Sequence, residues 1–176
     1  MPKHRLGVVL LVPEPWRTEV DGLRRGLGDA ALGRVPPHIT LVPPINVREE
    51  DLGAAFDVLH EAGARCPTLS LALGPVASFA PVNPVAYLAV SGAPVPIAHL
   101  VGLKDALRSG PLERPEDWPF VPHVTLASGL PEDRLAAAVL ALSPLTMTVT
   151  FDRLHVLAEE PGQVWTPVTD APLGRR

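Results

Sequence analysis

The sequence predicts a mixed α and β fold made of two related halves. Three observations carry this expectation. The predicted elements run β-α-β-α-β-β-α-β-α-β-β-β. A five-position string, Pro-His-(Ile or Val)-Thr-Leu, occurs at Pro37–Leu41 and again at Pro122–Leu126, each time as a short strand that a Pro-containing turn separates from a helix. No stretch reads as a linker, so residues 1–176 are expected to form one two-lobed domain.

Composition sets the outer bounds. The chain has 176 residues, of which 47% are apolar and 19% charged. That is a folded chain with enough length for a sizeable core. Aromatics make up only 5%, so the core is expected to be mostly Leu, Val and Ala. The 22 prolines follow no period and serve as punctuation at turns and helix starts. A net charge of −4 disfavours wrapping a long nucleic acid, which needs many phosphate contacts from a basic face, but allows a short RNA end or a small phosphorylated ligand. The one cysteine, Cys66, is expected to be a buried structural thiol. No segment is long enough to span a membrane, and the expected location is the cytoplasm.

Taken in order, Leu6–Val12 is an apolar run stopped by Pro13, as in a central strand. Pro15 can open a helix in which Trp16, Val20, Leu23 and Leu27 face inward and Arg17, Arg24 and Arg25 face outward, ending at Gly28 and Gly33. His38–Val42 reads as a strand stopped by Pro43 and Pro44. Asn46 followed by Glu49 resembles a capping box for a second helix with Leu52, Ala55, Phe56 and Leu59 as its apolar stripe. Two strands, Leu69–Leu73 and Val85–Val90, flank the turn Pro81–Pro84. Pro94 and Pro96 suit the first turn of a third helix. Ser109–Pro122 has no period and is expected to be a surface loop. After the second motif strand, His123–Ala127, Pro131 opens a fourth helix. Thr146–Phe151 alternates Thr with apolar residues, the period of a half-buried strand, and Leu154–Ala158 and Val164–Val168 are strands joined around Pro161-Gly162.

The repeated string carries chemistry. Strand alternation puts His38 and Thr40 on one face, their Cα atoms about 6.6 Å apart, and Ile39 and Leu41 on the core face. The same holds for His123 and Thr125. If the two faces share a cleft, two imidazoles and two hydroxyls converge. Making or breaking a phosphodiester needs a base for the attacking oxygen and an acid for the leaving oxygen, and histidine serves either role near neutral pH. Two threonine hydroxyls can hold the non-bridging oxygens between them. This chemistry requires no metal and no cofactor.

These paired His-x-Thr segments resemble the signatures of the 2H phosphoesterase superfamily. The string His-Ile-Thr-Leu-Val-Pro-Pro at 38–44 is similar to its bacterial branch of 2′-5′ RNA ligases and RNA 2′,3′-cyclic phosphodiesterases. The resemblance implies an α+β fold with pseudo-two-fold symmetry, two mainly antiparallel sheets lining a central cleft and helices outside. It implies metal-independent hydrolysis of 2′,3′-cyclic phosphate ends of RNA or small nucleotides to 2′-phosphates, with reversible 2′-5′ joining in some members. His38 and His123 are then the acid and base, in either order, and Thr40 and Thr125 the phosphate clamp. Some relatives carry an arginine soon after the second motif. Here Leu126 to Gly129 follow and the next arginine is Arg134, a departure that bears on RNA-end affinity and ligation more than on the phosphodiester chemistry.

Other residues take secondary places. Trp118 and Phe120, in the loop before the second motif, are candidate stacking partners for a base, and Arg114 is a candidate second phosphate contact. Tyr87 is expected to pack in the core rather than reach the cleft. His60 and His99 are expected on helix surfaces, while His4 and His155 lack motif context. No histidine pair has zinc-ligand spacing, and no phosphate-binding Gly-rich loop is present, which disfavours an ATP-dependent ligase. The expected partner is an RNA end or a small cyclic-phosphate nucleotide, bound by a monomer away from any membrane. A binding module that holds such a ligand without turnover is the alternative.

Overall fold

The computed structural model describes residues 2–116 and 118–174. Its elements follow the predicted order: β1 (Lys3–Leu11), α1 (Trp16–Leu27), β2 (His38–Arg48), α2 (Leu52–Arg65), β3 (Leu69–Ser78), β4 (Val85–Ser91), α3 (Pro94–Ala106), β5 (His123–Ser128), α4 (Glu132–Ala141), β6 (Met147–Phe151), β7 (Arg153–Glu160) and β8 (Val164–Pro172). Short 3₁₀ turns precede α2 at Glu49–Asp51 and follow α3 at Gly110–Leu112.

The strands form one antiparallel sheet in the order β6-β3-β4-β5-β2-β1-β7-β8. It divides into two four-stranded halves, β6-β3-β4-β5 and β2-β1-β7-β8, joined where β5 meets β2 through the single register pair Ile39–Val124. The two sheets expected from the resemblance are thus halves of one curled sheet. Both motif strands begin with the same alternation of half-buried and buried side chains. Ile39, Leu41, Val124 and Leu126 enter one core cluster with Val20 of α1, Leu59 of α2, Leu100 and Leu103 of α3 and Leu135 of α4. Burying one such aliphatic side chain contributes about 1.5–3 kcal/mol, so the helices hold the core face of both motif strands.

Three local expectations are corrected. Pro43 and Pro44 do not end β2. Val42 pairs with Val8 and Ile45 with Leu6, so the two prolines bulge opposite Gly7. Past Ile39 no register partner on β5 needs their missing N–H groups. Asn46 does not cap a helix. It pairs with Arg5 in the β1–β2 ladder, which continues to Lys3–Arg48, and α2 begins after Asp51 with no side-chain cap bond. Arg24 does not face out: it is buried, its guanidinium donating to Asp21 at 2.9 Å and to Asp29 at 2.8 Å. The helix ends as expected at Gly28, whose φ of +77° suits glycine, and the turn beyond it carries Asp29 back under the last helical turn.

Candidate active site

The Ile39–Val124 pair fixes how the two motifs meet. Extending this antiparallel register by one residue each way places Thr125 opposite His38 and His123 opposite Thr40. Directly opposed residues share a sheet face. Ile39 and Val124 are fully buried on the core face, so all four polar side chains project from the other. Each of the four is half-buried. The structure therefore brings together His38, Thr40, His123 and Thr125 at the seam between the halves, with a local two-fold relating one motif to the other.

Both imidazoles are anchored in the same way. Nδ1 of His38 lies 2.7 Å from the Pro36 carbonyl oxygen, and Nδ1 of His123 lies 2.7 Å from that of Val121. A carbonyl only accepts, so Nδ1 carries the hydrogen in each ring and Nε2 is left to take or give a proton. The local sequence explains the geometry. Pro37 and Pro122 hold the residues before them extended, which turns those carbonyls toward the ring two positions on. Burial lowers the His38 pKa below its ordinary value of 6.5. The bond to Pro36 opposes this, and the positive charges of Arg24 and His123 add to it.

The surroundings of the two histidines differ. Tyr87 is the register partner of Thr125 and Ala89 of His123, so Tyr87 shares the face of the motif side chains. Its ring stacks on Phe79 with centroids 4.1 Å apart, and His123 meets both rings edge-on, at 5.0 Å from Phe79 and 5.3 Å from Tyr87. Tyr87 is buried as expected, but it stands on the site face and outside the main core cluster. Phe79 had no signal in the sequence beyond its being an aromatic before a turn. Near His38, the register neighbour is Leu11 of β1.

The remaining candidates lie further out. The Trp118 ring is 78% exposed. Phe120 is half-buried against the core, with the Lys104 ammonium 4.9 Å from its ring centre and paired to Glu116. Arg114 donates to the Pro44 carbonyl at 3.1 Å, four positions along β2 from Thr40. Arg134 lies in α4 and reaches the Leu27 carbonyl. His60 and His99 are exposed, and Cys66 is buried, its thiol pushed up to about 11 by burial. Among the described residues, no cluster of three or more His, Cys, Asp or Glu side chains is arranged to hold a metal ion, and no helix is long and apolar enough to cross a membrane.

Comparisons with known proteins give the family and the fold. Residues 12–163 match the family model of the 2′-5′ RNA ligase superfamily. Proteins of Bacillus cereus (strain B4264) and Bacillus anthracis (strain A0248), both assigned as phosphoesterases by inference, are 31% identical over 164 residues, covering 92% of this chain and 92% of theirs. Escherichia coli LigT in its apo form superposes with a TM-score of 0.68 at 19% identity, covering 99% of this chain and 100% of that one. LigT complexed with 3′-AMP superposes with a TM-score of 0.65 at 21% identity, covering 98% and 99%. A protein of Thermus thermophilus gives a TM-score of 0.67 at 20% identity, covering 98% and 100%.

Proposed function

The chain belongs to the 2′-5′ RNA ligase superfamily, and from that premise we propose that it hydrolyses 2′,3′-cyclic phosphates, at RNA ends or on small nucleotides, to 2′-phosphates. The observation that carries this reading is the Ile39–Val124 pair, which sets two imidazoles and two hydroxyls on one face of adjacent strands. The binding of 3′-AMP by LigT, a protein of the same fold, supports a nucleotide as ligand.

In this reading the cyclic phosphate sits between the motifs, its non-bridging oxygens accepting hydrogen bonds from Thr40 and Thr125. His38, whose neutral form burial favours, is the base. Its Nε2 takes a proton from water as the water oxygen attacks phosphorus. The bond from phosphorus to the ribose 3′-oxygen breaks, and His123 delivers the proton on its Nε2 to that oxygen. The Nδ1–carbonyl bonds keep both rings in the tautomer this needs. The same groups in the same roles, with a ribose 5′-hydroxyl in place of water, would join ends through a 2′-5′ linkage: His38 takes the hydroxyl proton and His123 again protonates the departing 3′-oxygen. Every group the chemistry calls on is a side chain of the seam, and no metal or cofactor is invoked. Trp118 is the exposed loop ring open to stacking on a base.

The test is a panel of 2′,3′-cyclic nucleotides, short RNAs ending in a cyclic phosphate and ADP-ribose 1″,2″-cyclic phosphate, followed by chromatography. Turnover to 2′-phosphates is expected, abolished by His38→Ala and by His123→Ala and unchanged by a chelator. Retention of unchanged ligand would favour a binding module, and full turnover by His38→Ala would sink the two-histidine mechanism.

A further inference from the structure

Each motif histidine is anchored by a carbonyl on the connection that leads into its strand. What holds that connection therefore sets the ring. The connection into His38 is held largely by its backbone. Arg34 and Val35 donate to the Ala31 carbonyl, Trp165 donates to that of Arg34, and Val12 to that of Pro37. The Arg24–Asp29 pair adds a tie at the helix end, where Asp29 also caps the Ala31 N–H. The connection into His123 is built differently. Among the described residues, no backbone hydrogen bond holds 118–122.

Side chains take that place. Lys104 lies in the last turn of α3, as Arg24 lies in the last turn of α1. It is buried, its side chain 7% exposed. Its ammonium donates to one carboxylate oxygen of Glu116, and Arg108 donates to the other at 3.1 Å. The ammonium also lies 4.9 Å from the centre of the Phe120 ring. Phe120 adjoins Val121, whose carbonyl oxygen is 2.7 Å from Nδ1 of His123. Burying an ammonium costs solvation, which here is offset by a carboxylate and an aromatic face. Both stand on the connection between α3 and β5 and neither on the sheet. The buried charge thus draws together two points on either side of the chain segment that aims the Val121 carbonyl.

We infer that Lys104 and Glu116 are positioning residues for His123: their pair, with Phe120 against the ammonium, fixes the carbonyl that sets the His123 tautomer. The inference rests on the reading of His123 as the acid. When Nε2 gives up its proton, the neutral ring keeps its hydrogen on Nδ1, and the Val121 carbonyl stabilises that form. An imidazole without such a partner favours the hydrogen on Nε2. Release of the connection would therefore disfavour proton delivery while leaving the phosphate clamp in place.

The test compares the wild-type protein with Glu116→Ala, Lys104→Met and the double variant. Ring nitrogen resonances would report the tautomers of His123 and His38 at about pH 9, well above the ordinary imidazole range. Glu116→Ala leaves a buried ammonium without its carboxylate and should lower stability in urea. The double variant leaves no buried charge and should recover it. His123 should nevertheless pass from the Nδ1–H form to a mixture in the double variant, with His38 unchanged. In turnover of a cyclic nucleotide, kcat should fall about tenfold while KM stays within about twofold. A wild-type His123 tautomer in the folded double variant would overturn the inference, because Phe120 packing and the Arg114 bond to the Pro44 carbonyl would then suffice to hold the connection. Equal changes at His38 and His123 would also overturn it, since the pair would then serve the fold at large. If the wild-type protein turns over no cyclic phosphate but His123 alone changes tautomer, the hydrolytic reading falls and the positioning role stands.

Discussion

Replacing Arg24 tests how the far side of α1 supports the seam. The guanidinium serves two carboxylates of unequal weight. Asp21 has a side chain 28% exposed and gains little from the pair, since solvent screens it. Asp29 is only 6% exposed and Arg24 only 4%, so Arg24→Ala leaves a buried carboxylate with no counter-charge. Breaking such a pair from one side costs about 3–5 kcal/mol, a large share of the roughly 5–15 kcal/mol that holds a typical domain together. Urea unfolding should register that loss. Arg24→Leu with Asp29→Asn should recover much of it, because no buried charge remains and the amide oxygen still accepts from the Ala31 N–H that Asp29 now caps. A second readout belongs to the site. Arg24 is one of the charges that lower the His38 pKa, although burial is the larger cause. Removing it should move the acidic limb of the kcat/KM profile to higher pH, measured on folded protein. A stability loss below about 1 kcal/mol, or an acidic limb that stays put or moves to lower pH, would refute the reasoning.

Further outcomes follow from the same structure. Thr40→Val and Thr125→Val keep the strand shape and remove one phosphate donor each, so each should lower kcat by about a hundredfold with the fold intact by circular dichroism. Phe79→Ala removes the ring that stacks on Tyr87 and meets His123 edge-on; kcat should fall about tenfold or more through loss of His123 orientation, while urea stability falls only modestly. Gly74 has φ +112° and its Cβ would overlap the Leu145 carbonyl, so Gly74→Ala should cost about 2–4 kcal/mol in urea unfolding. Burial lowers the pKa of both His38 and His155 from 6.5, so the folded chain binds fewer protons than the unfolded one below that value. Stability should therefore fall as pH drops below about 6.5, and a plateau from pH 7 to pH 5 would contradict this.

Elements whose cause is local were legible in the sequence. The element order follows from apolar periodicity and from proline and glycine punctuation. The site face of His38, Thr40, His123 and Thr125 follows from the two-residue repeat of a strand. What escaped had causes on other strands. Pro43 and Pro44 pass through β2 because the β1–β2 ladder shifts register there, between Leu6–Ile45 and Val8–Val42, and β5 has already diverged. Asn46 joins a ladder because β1 is long enough to offer Arg5 as partner. Arg24 is buried because Asp29, beyond the end of its helix, folds back to meet it. Tyr87 reaches the site because its register partner is Thr125. The prolines at 37 and 122 stood in the repeated string itself, but their effect, a carbonyl aimed at each imidazole, needed backbone geometry to become visible.

That repeated backbone raises the question of how two equivalent histidines divide unequal work. An antiparallel pair centred on Ile39 and Val124 has a local two-fold, so the strands alone give His38 and His123 the same reach, anchor and tautomer. Only what surrounds them can set one as base and the other as acid. His38 opens β2 beside Leu11 of β1, where desolvation and the charge of Arg24 disfavour its cation. His123 meets the edges of Phe79 and Tyr87, and its own charge acts on His38 in the same direction. A proton on His123 thus favours a neutral His38, which is the protonation state that hydrolysis needs at the start. The coupling gives an asymmetric test. His123→Gln removes the acid and also one source of the lowered pKa. The titration of His38, followed by its ring proton resonances in that variant, should move toward 6.5, whereas an unchanged or more acidic midpoint would mean that the two rings do not sense each other across the seam.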